Sequence, residues 1–177
     1  MTLKEAPAKP SLIPFIMTAA IIVADQITKL LIVHYIDPGY IGLRIFGDFI
    51  WIVHAKNLGI AFSIGDSFPL LARRILFILL PLIVMVFVVV YYFRGSDLTR
   101  GRRWAMAGVL GGGIGNLIDR ILRPDGVVDF LSFKFYGLFG MERFPTINVA
   151  DSFITVSGIL LVLLFIIQEV RNHEQKS

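Results

Sequence analysis

The sequence predicts a mainly α-helical membrane protein: four transmembrane helices with a small extracytoplasmic β-sheet. Three observations carry the prediction. Of the 177 residues, 56% are hydrophobic and the mean hydropathy is +0.76, more apolar surface than a soluble domain of this size can bury. The apolar residues gather in four runs, each close to the roughly 20 residues that a bilayer core requires. Charged residues reach only 17%, which excludes disorder, and they sit at the ends of the runs. The chain has no cysteine, so disulfides, thiolate metal sites and a cysteine nucleophile are excluded as well.

The elements follow in order. The first span, Leu12 to Val33, comes after Lys4 and Lys9 and resembles a secretory signal, but it is too long for a signal's apolar region and contains Asp25 and Lys29, so it is read as retained. The loop over about 40–65 is rich in β-branched and aromatic residues around Gly47, Asp48 and an Asn57-Leu58-Gly59 turn, which predicts two to four short strands. Phe68 to Arg74 suits a short interfacial helix. The second span, Ile75 to Phe93, carries no ionisable group, and a short basic link, Arg94 to Arg103, joins it to the third, Trp104 to Leu122. A further loop, Arg123 to Thr146, contains the apolar stretch VVDFLSFKFYGLF and leads to the fourth span, Ile147 to Ile167, and a polar tail. The whole chain, 1–177, reads as one integral membrane domain. Lys and Arg are denser in the two termini and the 94–103 link than in the two long loops, which places both termini in the cytoplasm. The formal net charge of +4 then reflects orientation, and no nucleic-acid partner is required.

Ionisable groups inside spans are expensive and mark paired or functional positions. Asp25 and Lys29 lie in the outer half of the first span. Asn116, Asp119 and Arg120 lie at the outer end of the third, Asn148 and Asp151 open the fourth, and Asp129 sits in the loop between them. All fall at similar depth. Asp25 with Lys29 and Asn116 with Arg120 are four apart, and Asn148, Asp151 and Thr155 share a face. The Gly108, Gly111, Gly112 and Gly115 series reads as a helix-packing seam, since it follows no strand and precedes no Lys-Ser/Thr. The histidines His34, His54 and His173 show no ligand spacing, so no metal site is expected.

Asp25 with Lys29 and Asp119 with Arg120 are readable as charge pairs that fix packing. Asp129 and Asp151 have no basic residue within four positions, so local pairing does not explain them. Two carboxyls brought close together cannot both stay ionised, and such a dyad holds one proton with which to activate water against a carbonyl. At this point that reading stands beside a structural role, a proton relay through Asp25, Lys29 and Asp119, and a non-catalytic binding role.

Five segments carry a resemblance: DQITK at Asp25 to Lys29, NLGIAF at Asn57 to Phe62, GNLIDR at Gly115 to Arg120, VVDF at Val127 to Phe130, and NVADS at Asn148 to Ser152. In this order, over almost the whole chain, they resemble the signatures of bacterial lipoprotein signal peptidase, signal peptidase II. The resemblance implies an intramembrane aspartyl endopeptidase of the bacterial cytoplasmic (inner) membrane, multi-pass, with its active site near the outer face. It implies cleavage of prolipoproteins before a diacylglyceryl-modified cysteine, with Asp129 and Asp151 catalytic. By the same match Asp25, Lys29, Asn57, Gly59, Asn116, Asp119, Arg120 and Asn148 support the site or bind substrate, with Asp119 held by Arg120 or a neighbouring helix. The implied partners are lipidated precursors, membrane lipids and globomycin-type inhibitors; no cofactor is implied. The stretch between the catalytic motifs, RFPTI after a Gly-Leu-Phe-Gly turn, is long for the family.

Three expectations about mechanism follow. Asp151, in the first turn of a helix, is the ionised base and Asp129 holds the proton. Asn57, Asn116 and Asn148 offer hydrogen bonds to an unwound substrate in a groove among the first, third and fourth helices. Phe49, Trp51 and Phe62 lie on the membrane and hold the substrate.

Overall fold

The structure, a computed structural model, describes residues 9–59, 69, 71–72 and 75–174. Most of the expected interfacial helix at Phe68 to Arg74, and Phe62, lie outside the described residues. Helix α1 spans Pro14–Tyr35 and opens with a proline, whose missing N–H is unneeded in a first turn. Helix α2, Leu80–Arg94, is entered through a π-helical turn at Ile75–Leu79. Helix α3 spans Arg100–Leu122, capped by Thr99, whose hydroxyl accepts from Arg102 N–H. Helix α4 spans Val149–Glu174.

Among the described residues, three helices are long and apolar enough to cross a membrane: Pro14–Tyr35, Ile75–Arg94 and Val149–Glu174. Helix α3 has 23 residues, a length of about 35 Å at 1.5 Å per residue. Its composition falls short, with arginines at one end, Asp119 and Arg120 at the other and glycines between. Its position gives the reason. It packs against α1, α2 and α4 and buries 13 of its residues, so its surface meets other helices and needs no greasy coat. The other three turn residues such as Leu30, Val86 and Val162 outward. The glycine seam lets this happen: a Cβ on Gly112 would strike the Ala150 carbonyl, and one on Gly115 would stand 2.8 Å from Asp25 Oδ2.

The sheet is antiparallel in the order β1 (Ile41–Ile45), β2 (Ile50–Asn57), β3 (Val127–Phe133). Two strands lie in the first long loop, as expected. The third comes from the second loop, which the sequence marks only as apolar. Val127 to Phe130 are buried in succession, so β3 lacks the in-out alternation that announces a half-exposed strand. Val128 and Phe130 pack on Ile32 near the end of α1, which seats the sheet on the helices. The long RFPTI stretch is accounted for too. After β3 the chain turns through Tyr136 to Gly140 and runs back beside it, with Phe144 N–H on Phe133 O at 2.8 Å and Ile147 N–H on Leu131 O at 3.0 Å.

Candidate active site

Asp151 is fixed by the start of its own helix. Asn148 and Asp151 exchange bonds as cap and third residue: Asp151 N–H donates to Asn148 Oδ1 at 2.8 Å, and Asn148 N–H donates to Asp151 Oδ2 at 3.2 Å. This reciprocal box satisfies two backbone donors that a helix start leaves open. The remaining oxygen, Oδ1, accepts from Asn116 Nδ2 of α3 at 2.6 Å.

Asp129 reaches the same place from β3. Its register opposite Ala55 puts it near the end of β2, where Asn57 Nδ2 donates to Oδ2 at 2.9 Å. Asn57 is turned that way because its own oxygen accepts Gly59 N–H at 3.1 Å, a tight side-chain turn. Asn148 Nδ2 donates to the other oxygen, Oδ1, at 2.7 Å. Asn148 therefore touches both carboxyl groups. Burial pushes the Asp129 carboxyl up to about 7 and the Asp151 charge pushes in the same direction, against the pull of the Asn57 and Asn148 donors and Lys29. All three asparagines thus direct an amide N–H at one of the two carboxylates.

Behind this pair lies a fully buried ionic pin. Lys29 Nζ meets Asp25 Oδ2 at 2.8 Å, Asp119 Oδ2 at 3.1 Å and Asn116 Oδ1 at 3.0 Å, one acceptor for each of its three protons. Asp25 Oδ1 accepts Ala150 N–H at 2.9 Å, so α1 holds the start of α4 directly. Asp119 also accepts Val128 N–H and Gln26 Nε2, both at 3.1 Å, which fastens β3 one residue before Asp129. The predicted Asp25–Lys29 pair is present. Asp119 is held by a neighbouring helix and by Arg123, 3.7 Å away, among the described residues, and not by Arg120. Adjacent helical residues point about 100° apart, so sequence neighbours are poor partners.

Arg120 lines a cavity of about 940 Å³ together with Asp129, Asp151, Asn57, Gly59, Ser152 and Thr155. Lys56, Arg143, Phe144 and Ile154 complete parts of its wall. Both carboxyl groups thus open on one space, with a guanidinium in the same wall and an apolar side along α4.

The signal peptidase (SPase) II family model matches residues 17–167 of this chain. The chain belongs to the signal peptidase II family. It is 45% identical over 169 residues to the lipoprotein signal peptidase of Treponema pallidum, covering 96% of this chain and 91% of that one. With the lipoprotein signal peptidase of Treponema denticola it shares 44% over 164 residues, covering 93% and 94%. The fold is similar to a solved bacterial membrane enzyme at a TM-score of 0.77 and 24% identity, over 92% of this chain and 93% of that one. A signal peptidase II is a peptidase, and this chain is a multi-pass membrane member of that family.

Every residue that the family resemblance implied as catalytic, supporting or substrate-binding falls in this network or on its cavity, while Phe49 and Trp51 pack elsewhere on the sheet, against Phe133 and Arg143. Three participants were not singled out. Gln26 donates to Asp25, Asp119 and the Gly115 carbonyl, and its place inside DQITK was the available signal. Gly126 (φ +95) presses on Asn57: a Cβ there would meet the Asn57 carbonyl and stand 3.1 Å from Leu58 N. Arg143 sits on the cavity wall and ties β3 to the β1–β2 turn, donating to Ser132 O at 2.8 Å and Asp48 O at 3.0 Å. Nothing in their spacing distinguishes the last two.

Proposed function

We propose that this protein is an intramembrane aspartyl endopeptidase that removes signal peptides from prolipoproteins by cleaving before a diacylglyceryl-modified cysteine, with Asp129 and Asp151 activating water. The observation that carries the reading is Asn148, which bonds to both carboxyl groups where they open on one cavity. In this mechanism Asp151 is the base, because the first turn of α4 and the Asn116 and Asn148 donors favour its charge. Asp129 holds the proton. A water between them gives one proton to Asp151 while its oxygen attacks the scissile carbonyl carbon, and Asp129 protonates the carbonyl oxygen. The resulting gem-diol collapses as the C–N bond breaks: Asp151 gives its proton to the departing amine nitrogen and Asp129 takes one back from a gem-diol hydroxyl. Arg120 adds positive charge to the wall where negative charge gathers.

The proposed topology has four spans, with α3 crossing in the shelter of the other helices and both termini in the cytoplasm of a bacterial inner membrane. The sheet and the two aspartates then lie near the outer face, where a lipidated precursor presents its cleavage site. Membrane lipids and globomycin-type inhibitors remain the proposed additional ligands. A proton relay through Asp25, Lys29 and Asp119 is the less supported reading, since all three are fully buried and spend their charges on one another.

The test is cleavage of a lipidated precursor by the purified protein in nanodiscs, with the released peptide and the new terminal cysteine identified by mass spectrometry. Asp129→Asn and Asp151→Asn should each remove cleavage and leave the protein folded and inserted. Activity retained in either variant overturns the dyad, and equal cleavage of an unlipidated precursor overturns the substrate assignment.

A further inference from the structure

Lys56, Arg120 and Arg143 all line the cavity, and they differ in what already answers their charge. Lys56 Nζ is held by Asp125 Oδ2 at 2.6 Å. Arg120 shares its wall with the two catalytic carboxyls. Arg143 is different. Its Nε donates to Ser132 Oγ at 2.9 Å, Nη1 to Asp48 O at 3.0 Å, and Nη2 to Ser132 O at 2.8 Å and Phe49 O at 3.4 Å. All four acceptors are neutral. The acids nearby are engaged elsewhere: Asp48 and Glu142 pair with Lys134 at 3.1 and 3.6 Å, and Asp48 with Arg44 at 4.0 Å. Among the described residues Arg143 has no ion pair, and a guanidinium has five N–H donors, so one on Nη1 is left over as well.

The guanidinium is held still, with its carbon 3.7 Å from the Trp51 ring centre. Four neutral acceptors could be tied by a neutral donor, so the tie alone does not account for a charge kept at the cavity wall. Its position relative to the carboxyls follows from β3. Ser132 lies three residues beyond Asp129 on that strand, about 10 Å at roughly 3.3 Å per residue. The wall between is continuous, since residues 143–147 all line the cavity and lead to Asn148, which touches both carboxyl groups. A precursor cut at the dyad sends its apolar signal peptide along the α4 side, past Ile154 and Val156. The new mature end then leaves along the other wall, past 147–143. An extended chain covers about 10 Å in three residues. With the cysteine counted as the first, the second to fourth residues of the mature end come beside Arg143.

We propose that Arg143 is a specificity-determining residue for the part of the precursor that follows the cut: it favours an acidic side chain among the few residues after the lipidated cysteine and disfavours a basic one. The proposal rests on the peptidase reading above and adds which precursors are preferred. A guanidinium already fixed by Trp51, Ser132 and the β1–β2 turn loses little side-chain freedom on meeting a carboxylate, unlike a free lysine. The lack of a resident carboxylate means that nothing has to be displaced.

The test uses the purified full-length protein in phosphatidylcholine nanodiscs, with lipidated precursors that differ only in carrying Asp, Asn or Lys at the second, third or fourth residue of the mature end. At one or more of these positions kcat/KM should fall in the order Asp, Asn, Lys. The step from Asp to Asn should be about threefold to fivefold, the range of one partly screened charge pair. Raising salt from about 0.05 M to about 0.5 M should bring the ratio toward one. Arg143→Gln should also bring it close to one, whereas Arg143→Lys should keep the order. The ratio is the readout because a disturbed sheet or a smaller folded fraction slows all precursors alike. Equal kcat/KM for Asp and Asn at all three positions in a parent that cleaves, or a ratio that Arg143→Gln leaves unchanged, overturns the proposal and leaves the peptidase reading standing. Failure to cleave any lipidated precursor overturns that reading, and the proposal with it.

Discussion

Lys29 Nζ lies 3.0 Å from Asn116 Oδ1, and this contact decides which way round the Asn116 amide points. An ammonium only donates, so the amide oxygen must face it, and the NH2 is left facing Asp151 at 2.6 Å. Asn148 Nδ2 donates to the same oxygen at 3.0 Å, which reinforces the choice. A buried charge on α1 thereby sets a hydrogen-bond donor toward a carboxylate on α4.

Lys29→Met should be severely destabilising, because it strands Asp25 and Asp119 without their counter-ion in a fully buried site. A loss of about 3–5 kcal/mol is expected, seen as a collapse of folded yield and melting temperature in detergent. Adding Asp25→Asn and Asp119→Asn to the variant should recover part of it. A singly substituted protein with parental melting would refute the pin.

Asp119→Asn separates support from chemistry. Asp119 accepts from Lys29, Gln26 and Val128 N–H but lines no part of the cavity, so its loss should first lower stability, by about 1–3 kcal/mol. The fraction that remains folded should cleave, in contrast to Asp129→Asn and Asp151→Asn. Activity per folded molecule, measured after size exclusion, distinguishes the two classes.

The pH dependence follows from Asp129. Its folded value near 7 lies above the ordinary 3.8 through burial and the Asp151 charge, so the folded state binds the proton more tightly than the unfolded state. Its stabilising share is complete below about 3.8 and is lost as pH rises through about 7. Asp129→Asn should therefore gain melting temperature relative to the parent at pH 8 and show little gain near pH 4. Cleavage that needs a protonated Asp129 should decline on the alkaline side of about 7, read as the limb of the pair and not of one residue. Asn57→Ala removes a donor that lowers Asp129, so that limb should move to higher pH as the rate falls.

Gly126→Ala should imitate Asn57→Ala from outside the cavity lining. It places a Cβ against the Asn57 carbonyl and forces a left-handed φ of +95 on alanine. A stability loss of about 1–2 kcal/mol is expected, with a larger relative loss of kcat/KM and the same alkaline displacement. Unchanged kcat/KM at parental stability would show that Asn57 is positioned by other contacts.

Much of this protein was legible in its sequence because it is local. Apolar runs near the length of a bilayer declare a membrane protein, turn residues and β-branched runs declare β1 and β2, and Asp129 and Asp151 stand out for lacking a local counter-ion. The same local view could not supply β3, whose buried run hides its period, nor the partner of Asp119, which lies 90 residues away on α1 and not beside it. It could not tell that the asparagines serve the carboxylates, or that Trp51 lies against the Arg143 guanidinium while Phe46, Tyr136 and Phe139 stay exposed. The physical reason is that spacing reports which residues share a face, while the contacts of that face depend on how closely the backbones approach. Here the glycine seam of α3 sets that approach, bringing Asp25, Lys29 and Asn116 into one dry cluster behind the two aspartates.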